Sequence, residues 1–338
     1  MSLLTVGLTP HRLEFLPAIL GSLKKHDWIL LEEPPDPEFA NMLRGEITVT
    51  AYVEQSEAGF PEYAKALAEE LKKLYREGKR ICQVEPYLER WVLIRALLDQ
   101  GVPAEEVRKC PELTAVYDME HLCFGRLLDY YAAMQGPFDL LVEKIKAFAQ
   151  ADAQRITLRD AMRAREIISL VKKTRAPSFY VEAGYIHLKL LYFLAREGKG
   201  LIRLRTENLL LKALSARGFH KVLPSPGDGL TSYYLFGGKH RNLSEDLLAA
   251  RSIVYIKLIE KNELRPNPED PFPHLRNELL WRLFVWQLGY EECKALDRLI
   301  RLLPTTKARE VARRVFAPAY QKALQRLEAF NFGAWEAR

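Results

Sequence analysis

Short apolar segments of strand length that alternate with helical segments constrain the fold of this chain more than any other feature. The strand-like segments are residues 3–8, 28–31, 79–84, 178–186 and 201–205. The segments between them that carry apolar residues at helical spacing include residues 12–25, 61–77 and 187–196. Strands separated by helices favour parallel pairing through helical crossovers. The sequence therefore predicts an α/β fold with a mostly parallel sheet and flanking helices.

A long helical segment interrupts this alternation. From about residue 88 to 173 the apolar pattern is helical, with breaks at Gly101, Pro111 and the pair Gly136-Pro137. A helical insert between strands of one sheet usually forms a cap over the strand ends. We therefore predict an α/β domain that spans residues 1–205 and carries a helical insert, at about 88–173, that caps the strand ends.

The residues after 205 have a different sequence pattern. Prolines and glycines in residues 221–238 predict a loop or hairpin, and the prolines of residues 262–273 predict an extended connection. Residues 277–288 and 308–330 are amphipathic and rich in arginine, which predicts helices. Residues 206–338 are therefore predicted to form a mainly helical C-terminal region.

Polar side chains follow four of the predicted strands, at the point where each strand ends. His11 follows the first strand, Glu32 and Glu33 follow the second, Glu85 follows the third and His187 follows the fourth. The carboxyl ends of the strands in an open α/β sheet line one crevice, and ligands bind there. Two imidazoles and two or three carboxylates at this edge can form either a divalent metal site or a general acid/base site.

Each of these residues also has a purely structural interpretation. The histidine after Pro10 either binds metal as a neutral imidazole, which a helix N-terminus favours, or caps the helix. Strand alternation sends Glu32 and Glu33 to opposite faces, so one enters the crevice while the other pairs with a Lys or Arg. We predict that Glu32 turns inward. Arg159, beside Asp160, either orients a carboxylate or an anionic substrate group, or forms an intramolecular salt bridge.

The composition narrows the class of protein. Hydrophobic residues make up 48% of the chain, yet no stretch approaches the ~18 uninterrupted apolar residues of a membrane helix. The N-terminus lacks the segments of a signal peptide, so a cytoplasmic location without a membrane partner is expected. The four cysteines include no Cys-x-x-Cys pair, which predicts reduced thiols. Abundant Lys, Arg and Glu with few Asn and Gln is a bias seen in heat-adapted proteins.

Charge and motifs exclude several other classes. The net charge of +6 suits nucleic acid, anionic substrates or simple solubility. No recognition motif accompanies the arginine-rich C-terminal segments, so a nucleic-acid partner is not expected. The sequence contains no Gly-x-Ser-x-Gly elbow and no His-Glu-x-x-His pair, and residues 237–240 lack the flanking residues of a phosphate-binding loop.

Four stretches of the chain resemble the TraB/TIKI superfamily, which also includes erythromycin-esterase-like and ChaN-like proteins. They are the first strand with Gly7 and His11, residues 27–32, residues 77–85, and the Arg-Asp pair at 159–160 that precedes a strand ending in Gly-x-x-His. The likeness covers about residues 1–205. The first motif reads Gly-x-x-x-His here, whereas the TIKI form reads Gly-x-x-His.

The resemblance implies a site of two histidines and two glutamates at the sheet edge. By position, His11, Glu32, Glu85 and His187 would bind a divalent metal ion such as manganese, cobalt, zinc or iron, or would act as acid and base. Arg159 would support them. Members of the superfamily are described as metal-dependent proteases, as esterases, or as binders of iron-containing ligands.

Three functions are consistent with these observations. The first is a metal-assisted hydrolase of peptide or ester bonds, in which the metal activates water and Glu32 or Glu85 moves the proton. The second is a non-catalytic protein that binds a small molecule or metal in the same crevice. The third is a nucleic-acid-binding protein that uses the basic C-terminal half. The expected partner is a small-molecule or peptide substrate, and a second copy of the chain is a further candidate.

Overall fold

A computed structural model of the protein describes residues 1–56, 59–215, 223–238 and 244–329. The strands in this part of the chain are β1 (Ser2–Thr9), β2 (Trp28–Leu31), β3 (Arg80–Gln83), β4 (Ser178–Gly184) and β5 (Ile202–Asn208). The helices up to β5 are α1 (Leu16–Leu23), α2 (Pro37–Arg44), α3 (Val49–Gln55), α4 (Pro61–Arg76), α5 (Pro86–Asp99), α6 (Ala104–Lys109), α7 (Pro111–Ala132), α8 (Phe138–Thr174) and α9 (Leu188–Glu197). The later helices are α10 (Leu209–Ser215), α11 (Pro226–Leu235), α12 (Glu245–Leu258), α13 (Pro273–Val285), α14 (Tyr290–Ile300), α15 (Thr305–Val315) and α16 (Ala317–Glu328).

The five strands form one parallel sheet in the order β3-β2-β4-β1-β5. β1 pairs with β4 on one side and with β5 on the other, and β2 pairs with β3 and β4. β1 and β2 are therefore joined only through β4. The predicted α/β class, with a parallel sheet, flanking helices and a helical C-terminal region, is confirmed.

One face of the sheet is covered by the second half of α8 and by α9. Leu4, Val6 and Leu8 of β1 share a buried cluster with Ile167 of α8 and Leu190 of α9. Successive strand residues point to opposite faces, so the residues between them belong to the other side. A parallel sheet needs helices on both faces to bury its apolar side chains.

The opposite face of the sheet packs with α1 and α4. Phe15, which precedes α1, and Leu71 of α4 are buried there. His26, after α1, lies 2.8 Å from the Thr5 hydroxyl, and its ring packs against Tyr180 of β4 at 5.6 Å between centroids. The polar and aromatic residues on this face continue toward the carboxyl ends of β1 and β4.

Gly7 permits the close approach of Tyr180 on this face. A Cβ atom added to Gly7 would lie 1.8 Å from the Tyr180 hydroxyl oxygen and 2.4 Å from its ring. Gly7→Ala is therefore expected to lower the free energy of unfolding by about 1–3 kcal/mol or more, because the ring has to move out of a packed core. Denaturant unfolding of the purified variant measures this loss.

A second glycine variant provides the control for Gly7→Ala. Gly21 lies within α1, and a Cβ atom added there has no neighbour within 4 Å. Gly21→Ala is expected to raise the free energy of unfolding by about 0.5–1 kcal/mol, since alanine loses less backbone entropy in a helix. Equal effects of the two substitutions would contradict the assigned packing of Gly7 against Tyr180.

The chain divides into two compact units whose bounds differ from the predicted domains. One unit comprises Met1–Asp118 and Ile156–Ala213, and the other comprises the described residues of Met119–Arg155 and Leu214–Trp335. The prediction placed a single boundary after residue 205 and treated residues 88–173 as one insert. In the structure the middle of that insert groups with the C-terminal residues, while the second half of α8 belongs to the α/β unit.

After β5 the described residues form helices α10 to α16, so the mainly helical C-terminal region is confirmed. Arg282 of α13 is buried among its helices, where it donates to Glu278 at 2.7 Å, to the Tyr255 hydroxyl at 3.3 Å and to the Leu223 carbonyl at 3.1 Å. The predicted extended connection at 262–273 is confirmed, since α12 ends at Leu258 and the next helix begins at Pro273. No helix in the described residues is long and apolar enough to span a membrane.

Two predictions for this unit were wrong. Residues 221–238, predicted as a loop or hairpin, contain α11; residues 221 and 222 lie outside the described part. Ser225 caps this helix by accepting from the Asp228 amide at 3.1 Å, and Pro226 occupies its first turn, where no N–H is needed. Residues 308–330, predicted as one helix, form α15 and α16 with a break at Phe316; residue 330 lies outside the described part. Pro318 lies in the first turn of α16, where no N–H is needed; a continuous helix would require its missing N–H to donate to the carbonyl of residue 314.

Candidate functional site

A buried group of ionised side chains surrounds His187 at the carboxyl end of β4. The chain turns after Gly184, and the His187 amide donates to the Gly184 carbonyl at 3.0 Å before α9 begins. The side chain of His187 is 4% exposed, and its Nδ1 donates to Asp160 Oδ1 at 2.5 Å. Its Nε2 donates to Glu32 Oε1 at 2.8 Å. Two carboxylates therefore bracket one imidazole.

The charges in this group perturb its titration. Burial alone would raise the pKa of Glu32, but the adjacent His187 charge and two nearby guanidinium groups hold it well below its ordinary value of 4.5. Burial would lower the pKa of His187, but the charge of Glu32 and the hydrogen bond to Asp160 raise it to about 9. His187 is therefore an imidazolium at neutral pH, with protons on both ring nitrogens.

Two arginines of α8 complete the group. Arg163 is fully buried and donates from Nε to the Val84 carbonyl at 2.8 Å and from Nη2 to the Glu182 carbonyl at 2.7 Å. Arg159 Nη2 lies 3.4 Å from each of the carboxylates that follow β2 and β3. These contacts tie α8 to the ends of β2, β3 and β4. We name the six charged side chains the ion network: Glu32, Glu85, Arg159, Asp160, Arg163 and His187.

The predicted metal ligands do not fit a metal centre in this arrangement. Both nitrogens of His187 donate protons to carboxylates, and Glu32 Oε2 accepts from the Gly184 amide at 2.6 Å while Oε1 accepts from His187. No three His, Cys, Asp or Glu side chains of the described residues are grouped so that they could hold a metal ion. The structure brings Glu32, Glu85 and His187 together around arginines, whereas His11 contacts a different group. Metal binding by this chain stays a prediction.

His11 lines a cavity of about 420 Å³ that is bounded by α2, α3 and α4. Its side chain is 38% exposed, and its Nε2 lies 3.6 Å from Glu182 Oε1. The Tyr63 hydroxyl donates to the same oxygen at 3.3 Å, and the Tyr63 ring stacks on His11 at 5.9 Å between centroids. Glu182 itself is almost buried, with a side chain that is 6% exposed. An imidazole and a buried carboxylate therefore meet at the wall of this cavity.

Glu33 contributes a second carboxyl group to the cavity. Burial raises the pKa of Glu33 and the charge of Glu182 adds to the increase, while a hydrogen bond from Gln83 at 2.8 Å opposes it. Burial also raises the pKa of Tyr63 well above its ordinary value, so this phenol keeps its proton and acts as a donor. A carboxylate with a raised pKa is a stronger base than an exposed one and exchanges its proton closer to neutral pH.

Glu32 and Glu33 both line the cavity, but their side chains have different partners. Glu32, which was predicted to turn inward, forms ion pairs with His187 and the arginines of α8. Glu33 lines the same cavity beside His11, and its carboxylate accepts a hydrogen bond from Gln83. Glu32 therefore both lines the cavity and pairs with arginines.

The sequence interpretation gave no role to Glu182 or Tyr63, which both line the cavity. A role for Glu182 could have been predicted from the sequence, because a carboxylate inside an otherwise apolar strand of a parallel sheet is buried and needs a partner. Tyr63 had no such signal, since an aromatic residue in an amphipathic helix is an ordinary core residue. Its contact with Glu182 joins α4 to β4 across 119 residues of sequence.

Comparison with known proteins finds one relative that aligns with most of the chain. A protein of Archaeoglobus fulgidus, described only as an uncharacterized protein, is 33% identical over 296 residues, which is 86% of this chain and 96% of the relative. No family model matches the chain. No solved structure matches it.

Proposed function

This chain belongs to the same family as the Archaeoglobus fulgidus protein, and we propose, from the cavity beside His11, that it is a hydrolase of small ester or amide substrates that works by general acid–base catalysis. The observation that carries the proposal is that Glu33, a carboxyl with a raised pKa, shares this cavity with an imidazole. The resemblance to the TraB/TIKI superfamily supports the same class of reaction. The size of the cavity suits a small molecule.

In the proposed reaction, Glu33 and the His11 ring move the two protons that hydrolysis requires. Glu33 takes a proton from a water molecule, and the water oxygen attacks the carbonyl carbon of the substrate. The bond between that carbon and the leaving oxygen or nitrogen then breaks, and the His11 ring gives the leaving group its proton. Proton exchange with water returns both residues to their starting forms.

Two further residues position this machinery. Glu182 Oε1, at 3.6 Å from Nε2, holds the His11 ring in place, and the Tyr63 hydroxyl fixes that carboxylate. Neither residue exchanges a proton with the substrate in the proposed reaction. The ion network fixes the main chain beside the cavity, because Arg163 donates to the Glu182 carbonyl and Glu32 accepts from the Gly184 amide.

Hydrolysis of p-nitrophenyl esters and p-nitroanilides by the purified protein tests the proposal. Glu33→Gln and His11→Gln are each expected to lower kcat/KM by at least about 100-fold, because general acid–base catalysis contributes roughly 10²–10⁴ in rate. Glu54→Gln and His121→Gln remove exposed side chains that do not line the cavity, and they serve as matched controls. Activity that is unchanged in both cavity variants would show that the reaction takes place elsewhere.

Two other outcomes would favour the alternatives. Ligand binding in the cavity without hydrolysis of any ester or amide would favour the non-catalytic binding protein. Activity that disappears with a chelator and returns with manganese, cobalt, zinc or iron would favour the metal-assisted hydrolase and contradict the acid–base route described above.

A further inference from the structure

We propose that the substrate of this cavity carries a protonated amino group, which lies against Glu182 and Glu33 between aromatic walls. The inference rests on the proposed function in one respect, that this cavity is the substrate site. It adds the class of substrate, since an ester or amide with a positively charged nitrogen is a narrower group than small esters and amides in general.

The wall of the cavity is rich in carboxyl groups. Four carboxyl residues line the cavity, Glu32, Glu33, Asp36 and Glu182, and of these Glu32 already pairs with His187 and the arginines of α8. Of the described residues that line it, His11 is the only one with a basic side chain, and none is Lys or Arg. A substrate with a carboxylate or phosphate group would meet repulsion here, whereas an ammonium group would meet attraction.

The charge of the buried Glu182 carboxylate is only weakly compensated by its neighbours. Its carboxylate receives the Tyr63 hydroxyl at 3.3 Å, the Glu32 amide at 3.5 Å and His11 Nε2 at 3.6 Å, and these distances are at or beyond the limit of a hydrogen bond. Buried carboxylates are ordinarily paired with a cation or several strong donors. A ligand cation in the cavity would supply the missing partner.

In the ion network of the same protein, the charges of the carboxylates are fully compensated. There, three carboxylates face three cations, and Glu32 accepts a hydrogen bond of 2.6 Å from a main-chain amide and one of 2.8 Å from His187. As a result the pKa of Glu32 is well below its ordinary value, while the pKa of Glu33, one residue later, is raised. The two groups of carboxylates differ in their cationic partners: the ion network has two arginines and His187, whereas among the described residues that line the cavity the basic side chain is that of His11, at 3.6 Å from Glu182.

Aromatic rings form a large part of the cavity walls. Phe39 and Tyr52 pack against each other at 5.8 Å between centroids, and both line the cavity with Tyr63. Aromatic faces attract ammonium groups in desolvated sites. Phe60 also lines the cavity, but the Arg12 guanidinium lies 3.9 Å over its ring, so this ring already has a cation. The walls thus combine aromatic faces with carboxylates, a combination that suits an amine.

Binding of small probes tests the inference without any need for turnover. We expect 2-phenylethylammonium to bind at least about tenfold more tightly than 2-phenylethanol, which has nearly the same shape without the charge. 3-Phenylpropionate, with the opposite charge, is expected to bind more weakly than either. Glu182→Gln and Glu33→Gln should remove most of the preference for the cation, whereas Glu54→Gln should retain it. Equal affinities for the ammonium and the alcohol would overturn the inference.

Proton release provides a measurement on the unaltered protein, in case the Glu182 variant does not fold. A cation beside Glu33 favours its ionised form, so binding of the ammonium probe should release protons while binding of the alcohol should not. Calorimetric titrations in two buffers with different ionisation enthalpies measure this release. If binding of the ammonium probe releases no protons between pH 5 and 7, the inference is also overturned.

A matched pair of esters separates this inference from the proposed function. Phenylalanine methyl ester and methyl 3-phenylpropionate differ only in the amino group, and the first is expected to have the higher kcat/KM by at least about tenfold. Hydrolysis of both esters at equal rates would contradict the preference for an amine but would still support the proposed hydrolase activity. If the ammonium probe binds preferentially but neither ester is hydrolysed, the preference for an amine is supported and the proposed hydrolase activity is contradicted.

Discussion

Asp160→Asn is expected to lower the free energy of unfolding by about 3–5 kcal/mol, the usual loss when one partner of a buried ion pair is removed. Asp160 is fully buried and accepts hydrogen bonds from His187 Nδ1 at 2.5 Å and from the Leu190 amide at 2.8 Å. An asparagine amide has no charge to balance the imidazolium and directs an N–H group toward one of these donors. Denaturant unfolding at pH 7 measures the change.

The control for this substitution is on the same helix. Glu166 of α8 is exposed, and Glu166→Gln is expected to change the free energy of unfolding by no more than about 0.5 kcal/mol. A double-mutant cycle of Asp160→Asn with His187→Gln isolates the pair, and the coupling between the two positions should exceed about 1 kcal/mol. A loss below 1 kcal/mol for Asp160→Asn alone would contradict the assignment of a buried, ionised network.

The stability of the protein should fall as the pH rises from about 6.5 to about 9. The folded protein holds the His187 proton more tightly than the unfolded chain, because the pKa rises from its ordinary 6.5 to about 9 on folding. Below 6.5 both states carry this proton and the contribution of the network is complete. Between the two values only the folded state keeps it, so about 3 kcal/mol of stability is lost by the time the pH has passed through 9.

Unfolding midpoints measured at intervals from pH 5 to 10 test this dependence. His187→Gln has no titrating group at this position, so its stability should vary less over the same range. At the acid end, Glu32 has a lowered pKa, and its contribution is expected to disappear as the pH falls below its ordinary 4.5. A wild-type curve that is flat between 6.5 and 9 would show that His187 is not held as an imidazolium.

The positions of the strands could be predicted because each strand is a local pattern. The prediction for β2 matches the observed Trp28–Leu31, and the other strands differ by a few residues at their ends. The order of the strands could not be predicted in the same way. Leu30 of β2 lies beside Val181 of β4, and a pairing across some 150 residues leaves no trace in either local pattern.

The candidate site could be predicted only as far as the strand ends determine it. The expected residues that follow strands lie at the carboxyl edge of the sheet, but the face on which each lies depends on side-chain alternation and on the turn that follows the strand. His187 turns toward α8 and His11 turns toward α4, so the two histidines join different groups. Glu33 and Glu182 line a cavity because the strand ends and the helices α2, α3 and α4 leave open space between them. Such a space is a property of tertiary packing and cannot be read from a local sequence pattern.

The central place of β4 also has a consequence for the synthesis of the protein. When β3 has been synthesised, β4, which pairs with both β1 and β2, is still about 95 residues further along the chain. At about 5–20 residues per second, the interval before Ser178–Gly184 emerges is on the order of 10 s. During this time the edges of β1 and β2 stay open, so a nascent chain stalled before residue 178 should recruit chaperones, and one stalled well beyond residue 208 should resist protease.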